Sequence, residues 1–169
     1  MKYIIFIIIF ITTYTSSFGQ AYAVIDSKYI LQQLPDYKAA QKKLDQFSEQ
    51  WQQEIDKKSQ ELDLMHKNYE SEQVMLSDVL KKKREDEIFN KEKELRDLQK
   101  KRFGYEGDIF KKRQELIKPI QDKIYTAIQR MAATRAYDFI LDKSEGITVI
   151  FADPKLDKSD EVLKQLGVK

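Results

Sequence analysis

The apolar positions between residues 36 and 136 follow the pattern of a long helical hairpin. In the first half, the spacing between successive apolar positions alternates between three and four residues. One additional spacing of four residues interrupts this alternation, if the polar residue Lys58 is counted as one position of the pattern. The apolar positions are Tyr37, Ala40, Leu44, Phe47, Trp51, Ile55, Leu62, Met65 and Tyr69. Such a heptad repeat with one stutter is typical of a long helix that buries a single seam. About forty residues at about 1.5 Å each predict an arm of roughly 60 Å.

The hairpin is predicted to reverse direction near residues 77–78. Ser77 and Asp78 follow the first helix, and either side chain can accept a hydrogen bond from the free amides of a new helix. In the next turns of the return helix, between positions 81 and 94, only Ile88 and Phe89 are apolar. The distal part of the arm is therefore expected to be thinly packed.

Three residues are predicted to weaken the return helix. Gly104 and Gly107 fall inside the helical pattern, where each costs about 1 kcal/mol relative to Ala. Pro119 removes a backbone hydrogen bond and is expected to kink or restart the helix. We expect the arms to flex at these points. Replacement of both glycines by Ala is expected to stiffen them.

Short strands and helices are predicted on both sides of the hairpin. A turn of helix at 27–34 ends before Pro35, and a closing helix at 160–166 has Ser159 as its N-cap and Gly167 at its end. The second and third predicted strands are joined by a loop of hairpin length. The predicted strands are residues 21–26, 137–142 and 147–152.

The part of the chain outside the hairpin, residues 20–35 and 137–169, is predicted to form a small body that is too small to be stable alone. About fifty residues without Cys offer a marginal core, and a three-stranded sheet leaves two open edges. Association of several copies would close the sheet and share one core. The fold predicted is therefore α+β, a coiled-coil arm on a β-body completed by a homo-oligomer. The residues expected in that shared core are Val24, Ile25, Phe139, Ile140, Val149 and Ile150.

Residues 1–19 have the pattern of a cleaved secretory signal. After a short positive start, residues 3–11 are an unbroken apolar run, and Ser17 and Gly19 are small residues of the kind a signal peptidase requires. The run is shorter than the stretch of about 20 residues that a membrane span needs. The mature chain is expected to begin at Gln20 and to be exported.

The charge balance argues against nucleic acid as a partner. The chain has 30 Lys and Arg against 28 Asp and Glu, and the predicted signal removes only one of the basic residues. A basic run at 81–84 is followed directly by acidic residues at 85–87. The pairs Lys81–Glu85, Lys82–Asp86 and Lys83–Glu87 are expected to compensate the run at i,i+4 spacing.

Patterns that indicate catalysis, a cofactor or a metal are not found in the sequence. His66 is the only histidine and there is no Cys, so a zinc site is not expected. The segment 104–107 is too short for a phosphate-binding loop, and the carboxylates follow no acid–base arrangement. We predict that the protein is not an enzyme.

Several aromatic and large apolar side chains of the arm allow two interpretations. They either form the seam of the hairpin or face outward as adaptable contacts for apolar chains, a role that suits Met. The sequence does not separate the two. These candidate contact residues are Phe47, Trp51, Met65, Tyr69, Met75, Leu76, Phe103 and Phe110.

Taken together, the order of these segments resembles the Skp/OmpH family of periplasmic chaperones. The matching segments are 21–26, 124–128, 137–142 and 157–166. The resemblance implies a trimer whose β-barrel body carries three helical arms around a cavity that holds unfolded outer-membrane proteins. It also implies transient contact with a membrane surface or lipopolysaccharide. The arms of family members are often strongly basic, whereas this chain is near neutral.

Two functions follow as hypotheses. The first is an ATP-independent periplasmic holdase for unfolded outer-membrane β-barrel proteins. The alternative is a structural coiled-coil adaptor that docks end-on to a partner in the cell envelope. The position of exposed apolar surface distinguishes them, because a holdase needs it along the arm walls and an adaptor needs it at the tip, residues 75–80.

Overall fold

The computed structural model describes residues 20–144 and 149–168, so the predicted signal at 1–19 lies outside the described residues. The chain is mostly helical. None of the helices in the described ranges combines the length and apolar character that crossing a membrane requires. The elements, in order, are β1 (Tyr22–Ile25), α1 (Ser27–Gln33), α2 (Pro35–Glu72), α3 (Asp78–Phe103), α4 (Asp108–Arg135), β2 (Phe139–Asp142), a 3₁₀ turn (Pro154–Leu156) and α5 (Ser159–Gln165).

The first helix of the arm, α2, is continuous over 38 residues. Pro35 occupies its first turn, where the missing amide removes no intrahelical hydrogen bond. Ala40, Leu44 and Ile55 are its buried residues, and they lie at positions given by the heptad pattern. The length of α2 corresponds to roughly 57 Å. The predicted long helical arm with one buried seam is confirmed.

The return half consists of two helices, because α3 ends at Phe103 and α4 begins at Asp108. Gly104 and Gly107 flank a short turn between them and do not lie inside a helix, so their predicted placement was wrong. By contrast, α4 continues through Pro119 to Arg135, so of the two outcomes expected at this proline, a kink or a restart of the helix, the restart does not occur.

The reversal at the tip occupies residues 73–77, between α2 and α3. Ser77 takes the N-cap position of α3 with extended backbone, but its side chain makes no capping hydrogen bond, contrary to expectation. Backbone bonds hold the turn instead. The amide of Gln73 donates to the carbonyl of Tyr69 at 2.8 Å, and that of Lys81 donates to the carbonyl of Ser77 at 2.9 Å.

The sheet has two parallel strands in the described residues, with Tyr22 opposite Phe139 and Ile25 opposite Asp142. The third strand predicted at 147–152 was wrong over its described part, since 149–152 has no regular structure. The chain pairs with the sheet further on instead, at the second edge of β1. Asp157 bridges Val24 there, and the Lys158 amide donates to the Val24 carbonyl at 2.8 Å.

The closing helix α5 starts one residue earlier than predicted. Lys158 is its N-cap, and Ser159 is the first helical residue, so the capping role predicted for Ser159 was wrong. The Ser159 side chain is buried and donates to Asp157 Oδ1 at 2.6 Å. Gly167, with φ of 81°, adopts the left-handed conformation after the helix, as predicted.

The body and the root of the arm share one hydrophobic core. Ile30, Met131 and Val162 are its most completely buried large side chains, from α1, α4 and α5. The small sheet therefore does not form its hydrophobic core alone, because the first turns of α2 and the last turns of α4 complete its packing. The buried members are Ile25, Ile30, Leu34, Ala40, Leu44, Ile117, Ile120, Ile124, Ala127, Met131, Val162 and Leu163.

Candidate functional site

The candidate site is the apolar surface of the arm, and the structure divides the candidate residues into two groups. Phe47, Trp51, Met65 and Tyr69 are half-buried along the side of α2 that faces the return helices, and Leu76 is half-buried at the tip. Met75, Phe103 and Phe110 are exposed. Of the eight candidates, these three are therefore the most accessible to a bound chain.

The half-buried aromatic residues form a cluster beside the break between α3 and α4. Trp51 stacks on Phe47 with ring centroids 5.6 Å apart and meets the edge of Phe103 at 6.4 Å. The ammonium group of Lys112 lies 5.4 Å from the Phe47 ring centroid. The cluster packs α2 against both return helices where the backbone of the return half is interrupted.

Arg102, in α3, forms ion pairs with a residue of α2 and a residue of α4, and so links the three helices beside this cluster. Its Nη1 donates to Asp108 Oδ2 on α4 at 2.7 Å, and its Nη2 donates to Glu54 Oε2 on α2 at 3.1 Å. The guanidinium also lies 5.0 Å from the Trp51 ring centroid. The hydrogen bond to Asp108, together with that to Glu54, raises the pKa of Arg102 despite partial burial. The planar guanidinium presents N–H groups in fixed directions and can therefore bond both carboxylates at once, whereas a Lys ammonium is a compact point charge.

The turn between α3 and α4 excludes side chains at both glycines. A Cβ on Gly104 would overlap the Lys100 carbonyl oxygen, and one on Gly107 would lie 2.9 Å from the carbonyl oxygens of Gly104 and Lys101. The double Ala replacement predicted to stiffen the arm would therefore strain its backbone, and that prediction was wrong. Between the glycines, Glu106 has a φ of 53°.

Four exposed apolar residues of the arm walls were missed by the sequence reasoning, namely Leu64, Phe89, Tyr105 and Tyr125. Leu64 lies two residues after the seam position Leu62, and Phe89 directly follows buried Ile88. In a two-helix hairpin an apolar residue outside the seam faces solvent. The signal that would have found Leu64 and Phe89 is therefore their departure from the heptad register.

The tip carries the most concentrated exposed apolar surface of the arm. Val74 is 84% exposed, Met75 and Val79 are each 79% exposed, and Leu80 is 49% exposed. Behind the tip, polar contacts replace the apolar seam. The Tyr69 hydroxyl donates to Glu85, and Ile88 is the single buried residue in α3.

The charges behind the tip pair differently from the prediction. Lys81 lies 3.9 Å from Asp78, and Arg84 lies 3.3 Å from Glu87, both at i,i+3 spacing. The three predicted i,i+4 pairs do not form. Within the described residues, Lys82 and Lys83 make no ion pair.

His66 takes a seam position and bonds to a carboxylate across the hairpin. Its Nε2 lies 3.1 Å from Glu92 Oε1, and Arg96 lies 3.5 Å from the other oxygen of the same carboxylate. No group of three or more metal-ligating side chains occurs in residues 20–144 and 149–168.

The residues predicted for the shared oligomer core differ in burial within the single chain. Val24 and Ile25 are buried, and Ile140 and Val149 are half-buried. Phe139 and Ile150 are exposed, so they become core residues only if another copy covers them. The Phe139 ring stacks on Tyr22 with centroids 5.6 Å apart, at the start of both strands.

Comparison with known proteins adds a family and a fold. The family described as outer membrane protein (OmpH-like) matches residues 21–166 of this chain. A crystal structure of a protein assigned as an OmpH-like outer membrane chaperone from Caulobacter crescentus CB15 has a similar fold, with a TM-score of 0.70 and 15% sequence identity. The similarity covers 91% of this chain and 89% of that one. Comparison with curated proteins gives no match.

Proposed function

This chain belongs to the OmpH-like outer membrane protein family, and on that basis we propose that it is an ATP-independent periplasmic holdase chaperone. Its clients would be unfolded outer-membrane β-barrel proteins, which it would keep from aggregating after export. The observation that supports this role is the set of exposed apolar side chains along the arm walls. They are Leu64, Phe89, Phe103 and Phe110.

The spacing of these side chains suits reversible capture of an unfolded chain. Burial of one large apolar side chain contributes about 1.5–3 kcal/mol, so a few partly buried contacts hold a client without trapping it. Each of them stands among charged residues, which keeps the free arm soluble. Release then requires no nucleotide, because no single contact dominates the binding free energy.

A homotrimer would turn three such arms into a cavity. The outer edge of β2 has no partner strand in the described residues, and an unpaired edge is a ready site for another copy. Exposed Tyr22, Phe139, Ile150 and Phe151 add apolar surface at the same end of the molecule. Covering this surface in an oligomer would complete the body and leave the arm walls free for clients.

The test is the aggregation of an unfolded outer-membrane β-barrel protein, followed by light scattering. We expect suppression at a stoichiometric amount of the oligomer without ATP. Leu64→Asp with Phe89→Asp should weaken suppression, because both changes place charges on the contact surface. The control exchanges neighbouring exposed polar residues, Gln60→Asp with Asn90→Asp, and should leave suppression intact. Equal aggregation with and without the protein would refute the proposal.

The exposed tip supports a second candidate, a structural adaptor that docks end-on in the cell envelope. Val74, Met75 and Val79 project where such a partner would bind. An adaptor would need the tip and not the arm walls. A protein that fails to suppress aggregation, and whose association with the envelope depends on Met75 and Val79, would favour this candidate.

A further inference from the structure

We propose that a groove at the root of the arm, between α1, the first turn of α2 and α4, binds an acidic segment of an extended polypeptide. This root groove has a volume of about 330 Å³, at the lower end of the range of pockets that hold small ligands. Its floor is apolar and includes half-buried Leu31 and buried Ile117. Lys28, Arg113 and Lys118 are exposed beside this floor, and no acidic residue lines the groove.

Helical spacing brings the polar side chains of the root groove together. Lys28 and Gln32 are four positions apart on α1, and Arg113, Ile117 and Gln121 follow at steps of four on α4. Residues at this spacing share one face of a helix. The groove therefore collects cations and side-chain amides from two helices that are distant in the sequence.

The positive charge beside the root groove is not balanced locally. Residues 111–118 contain four basic side chains and one acidic side chain, Glu115, although the whole chain is near neutral. Glu115 bonds Lys112 at 2.7 Å, and both of these residues line a different groove, beside Phe47. The one carboxylate of this stretch therefore does not compensate the cations of the root groove.

These cations are available to a ligand. Arg113 makes no ion pair within the described residues. Lys118 lies 3.9 Å from Asp122, but both side chains are about two-thirds exposed. Exposed pairs of this kind contribute little to stability, so a carboxylate of a ligand can take the place of Asp122. An arginine can bond such a carboxylate through two parallel N–H groups.

The side-chain amides favour a polypeptide over a simple anion. Gln32, Gln114 and Gln121 line the groove, and all three are exposed. Each amide offers both a donor and an acceptor, which match the carbonyl and the N–H of a peptide unit. A phosphate or sulfate ion mainly accepts hydrogen bonds and leaves the amide oxygens without a donor. The apolar floor suits a side chain next to the carboxylate, so the expected ligand is a segment with acidic and apolar residues side by side.

As a contact for clients, the root groove rests on the proposed function and adds a chemical preference to it. The exposed apolar residues of the arm walls, such as Leu64 and Phe89, hold apolar side chains whatever the charge of the segment. The root groove would instead select acidic stretches. Binding of a short peptide does not depend on the holdase role.

The experiment is fluorescence anisotropy of a short labelled peptide, in which Phe stands between Asp and Glu, with the mature protein. The comparison peptide has Asn and Gln in place of the two acidic residues. We expect the acidic peptide to bind about tenfold more tightly, because the neutral peptide makes no charge-assisted hydrogen bonds. Its binding should weaken as the salt concentration rises. Inorganic phosphate at the same concentration as the peptide should not displace it.

Variants then locate the binding site. Arg113→Gln with Lys118→Gln should weaken binding of the acidic peptide about tenfold, because two cations of the groove are lost. The helical circular dichroism signal and the sedimentation should stay unchanged, since both side chains are exposed. The matched control, Lys82→Gln with Lys83→Gln, removes the same charge from exposed positions of α3 and should bind as the unaltered protein does.

Several results would overturn the proposal. They are no binding of the acidic peptide, equal binding of the two peptides, or an equal loss of binding in the two double variants. Displacement by an equal concentration of inorganic phosphate would indicate a general anion site. Changed sedimentation of the Arg113→Gln with Lys118→Gln variant would indicate an interface between copies of the chain.

Failure of this proposal is distinguishable from failure of the proposed function, because peptide binding is measured without an aggregating client. A protein that binds the acidic peptide but does not suppress aggregation would keep the root groove and lose the holdase role. A protein that suppresses aggregation but does not bind the peptide would lose only the groove.

Discussion

At the scale of single residues, Arg102 has the largest effect that the arm's contacts predict. Its side chain is only 22% exposed and bridges Asp108 and Glu54 while covering Trp51. Arg102→Met would leave two carboxylates without their shared cation. We expect a loss of about 1–3 kcal/mol in the free energy of unfolding, measured by urea titration of the helical circular dichroism signal. Arg102→Lys should retain only part of this stabilisation, because an ammonium group does not reproduce the two directed hydrogen bonds of the guanidinium.

The matched control is another arginine of the same helix, Arg96. It contacts Glu92 at 3.5 Å with a side chain that is 58% exposed. Exposed pairs of this kind contribute about 0–1 kcal/mol, so Arg96→Met should change stability much less. Equal effects of the two substitutions would mean that Arg102 does not join the helices energetically.

Asp157 is predicted to make the body sensitive to acid. Its carboxylate accepts from Lys143 Nζ at 2.7 Å and from the Ser159 amide at 2.9 Å, while Ser159 Oγ accepts from the Asp26 amide at 2.9 Å. Burial alone would raise the pKa of Asp157, but the hydrogen bonds from Lys143 and Ser159 outweigh it and lower the pKa below its usual 3.8. The stabilisation is therefore present above about pH 4 and is lost as the pH falls through the lowered value.

Asp157→Asn tests this dependence. The amide keeps an acceptor for Ser159 but loses the ion pair with Lys143, so the variant should unfold at a lower temperature than the unaltered protein at pH 7. As the pH falls below about 4 and through the lowered pKa of Asp157, the difference should shrink, since the carboxylate of the unaltered protein becomes protonated. A difference in melting temperature that stays constant as the pH is lowered would show that Asp157 contributes nothing that depends on its charge.

At the scale of elements, the turn between α3 and α4 gives a prediction opposite to helix propensity. Gly104→Ala would place a Cβ against the Lys100 carbonyl oxygen, and we expect a loss of about 1–3 kcal/mol. Glu106→Gly should instead stabilise the protein by up to about 1 kcal/mol, because Glu106 has a φ of 53° that glycine adopts without strain. Urea unfolding of both variants measures the signs. A more stable Gly104→Ala would mean that the arm prefers one continuous return helix.

The sequence predicted α2 well because its signal is local. The spacing of Ala40, Leu44 and Ile55 places them on one face of the helix, whatever the helix packs against. The break in the return half has a different origin. The two glycines lower helix stability there, but the turn also depends on Arg102 reaching Glu54, a residue 48 positions earlier in the chain. Such a contact leaves no periodic signal.

The sheet also depends on contacts between residues distant in the sequence, which leave no local signal. The apolar run at 147–152 has the composition of a strand, yet a strand forms only where a neighbour accepts its backbone hydrogen bonds. The described part of this run pairs with no neighbour, whereas Asp157 and Lys158, further along the chain, pair with the second edge of β1, and no local pattern predicts that choice. For the candidate site, the sequence located the exposed Met75, Phe103 and Phe110 but could not separate them from seam residues. That separation requires the register of α2 against α3 and α4.

At the scale of the whole molecule, the arrangement of the core separates folding from association. The buried cluster joins the arm root to the body within one chain, so the single chain has a core of its own. The body without the arm root would offer too small a core, which is why the sequence predicted that the chain depends on other subunits. Association is then expected to involve the exposed surface at the open edge of β2 rather than the buried cluster.

Phe139→Asp tests this separation. The Phe139 side chain is exposed and contacts Tyr22, so a charge there costs the single chain little, whereas burial of that charge between copies without a partner costs several kcal/mol. We expect sedimentation to give a monomer that keeps its helical circular dichroism signal. Tyr125→Asp, at an exposed aromatic residue of α4, should remain associated. A Phe139→Asp protein that still sediments as an oligomer would place the interface elsewhere. One that loses both association and helical signal would show that the chain folds only when its copies meet.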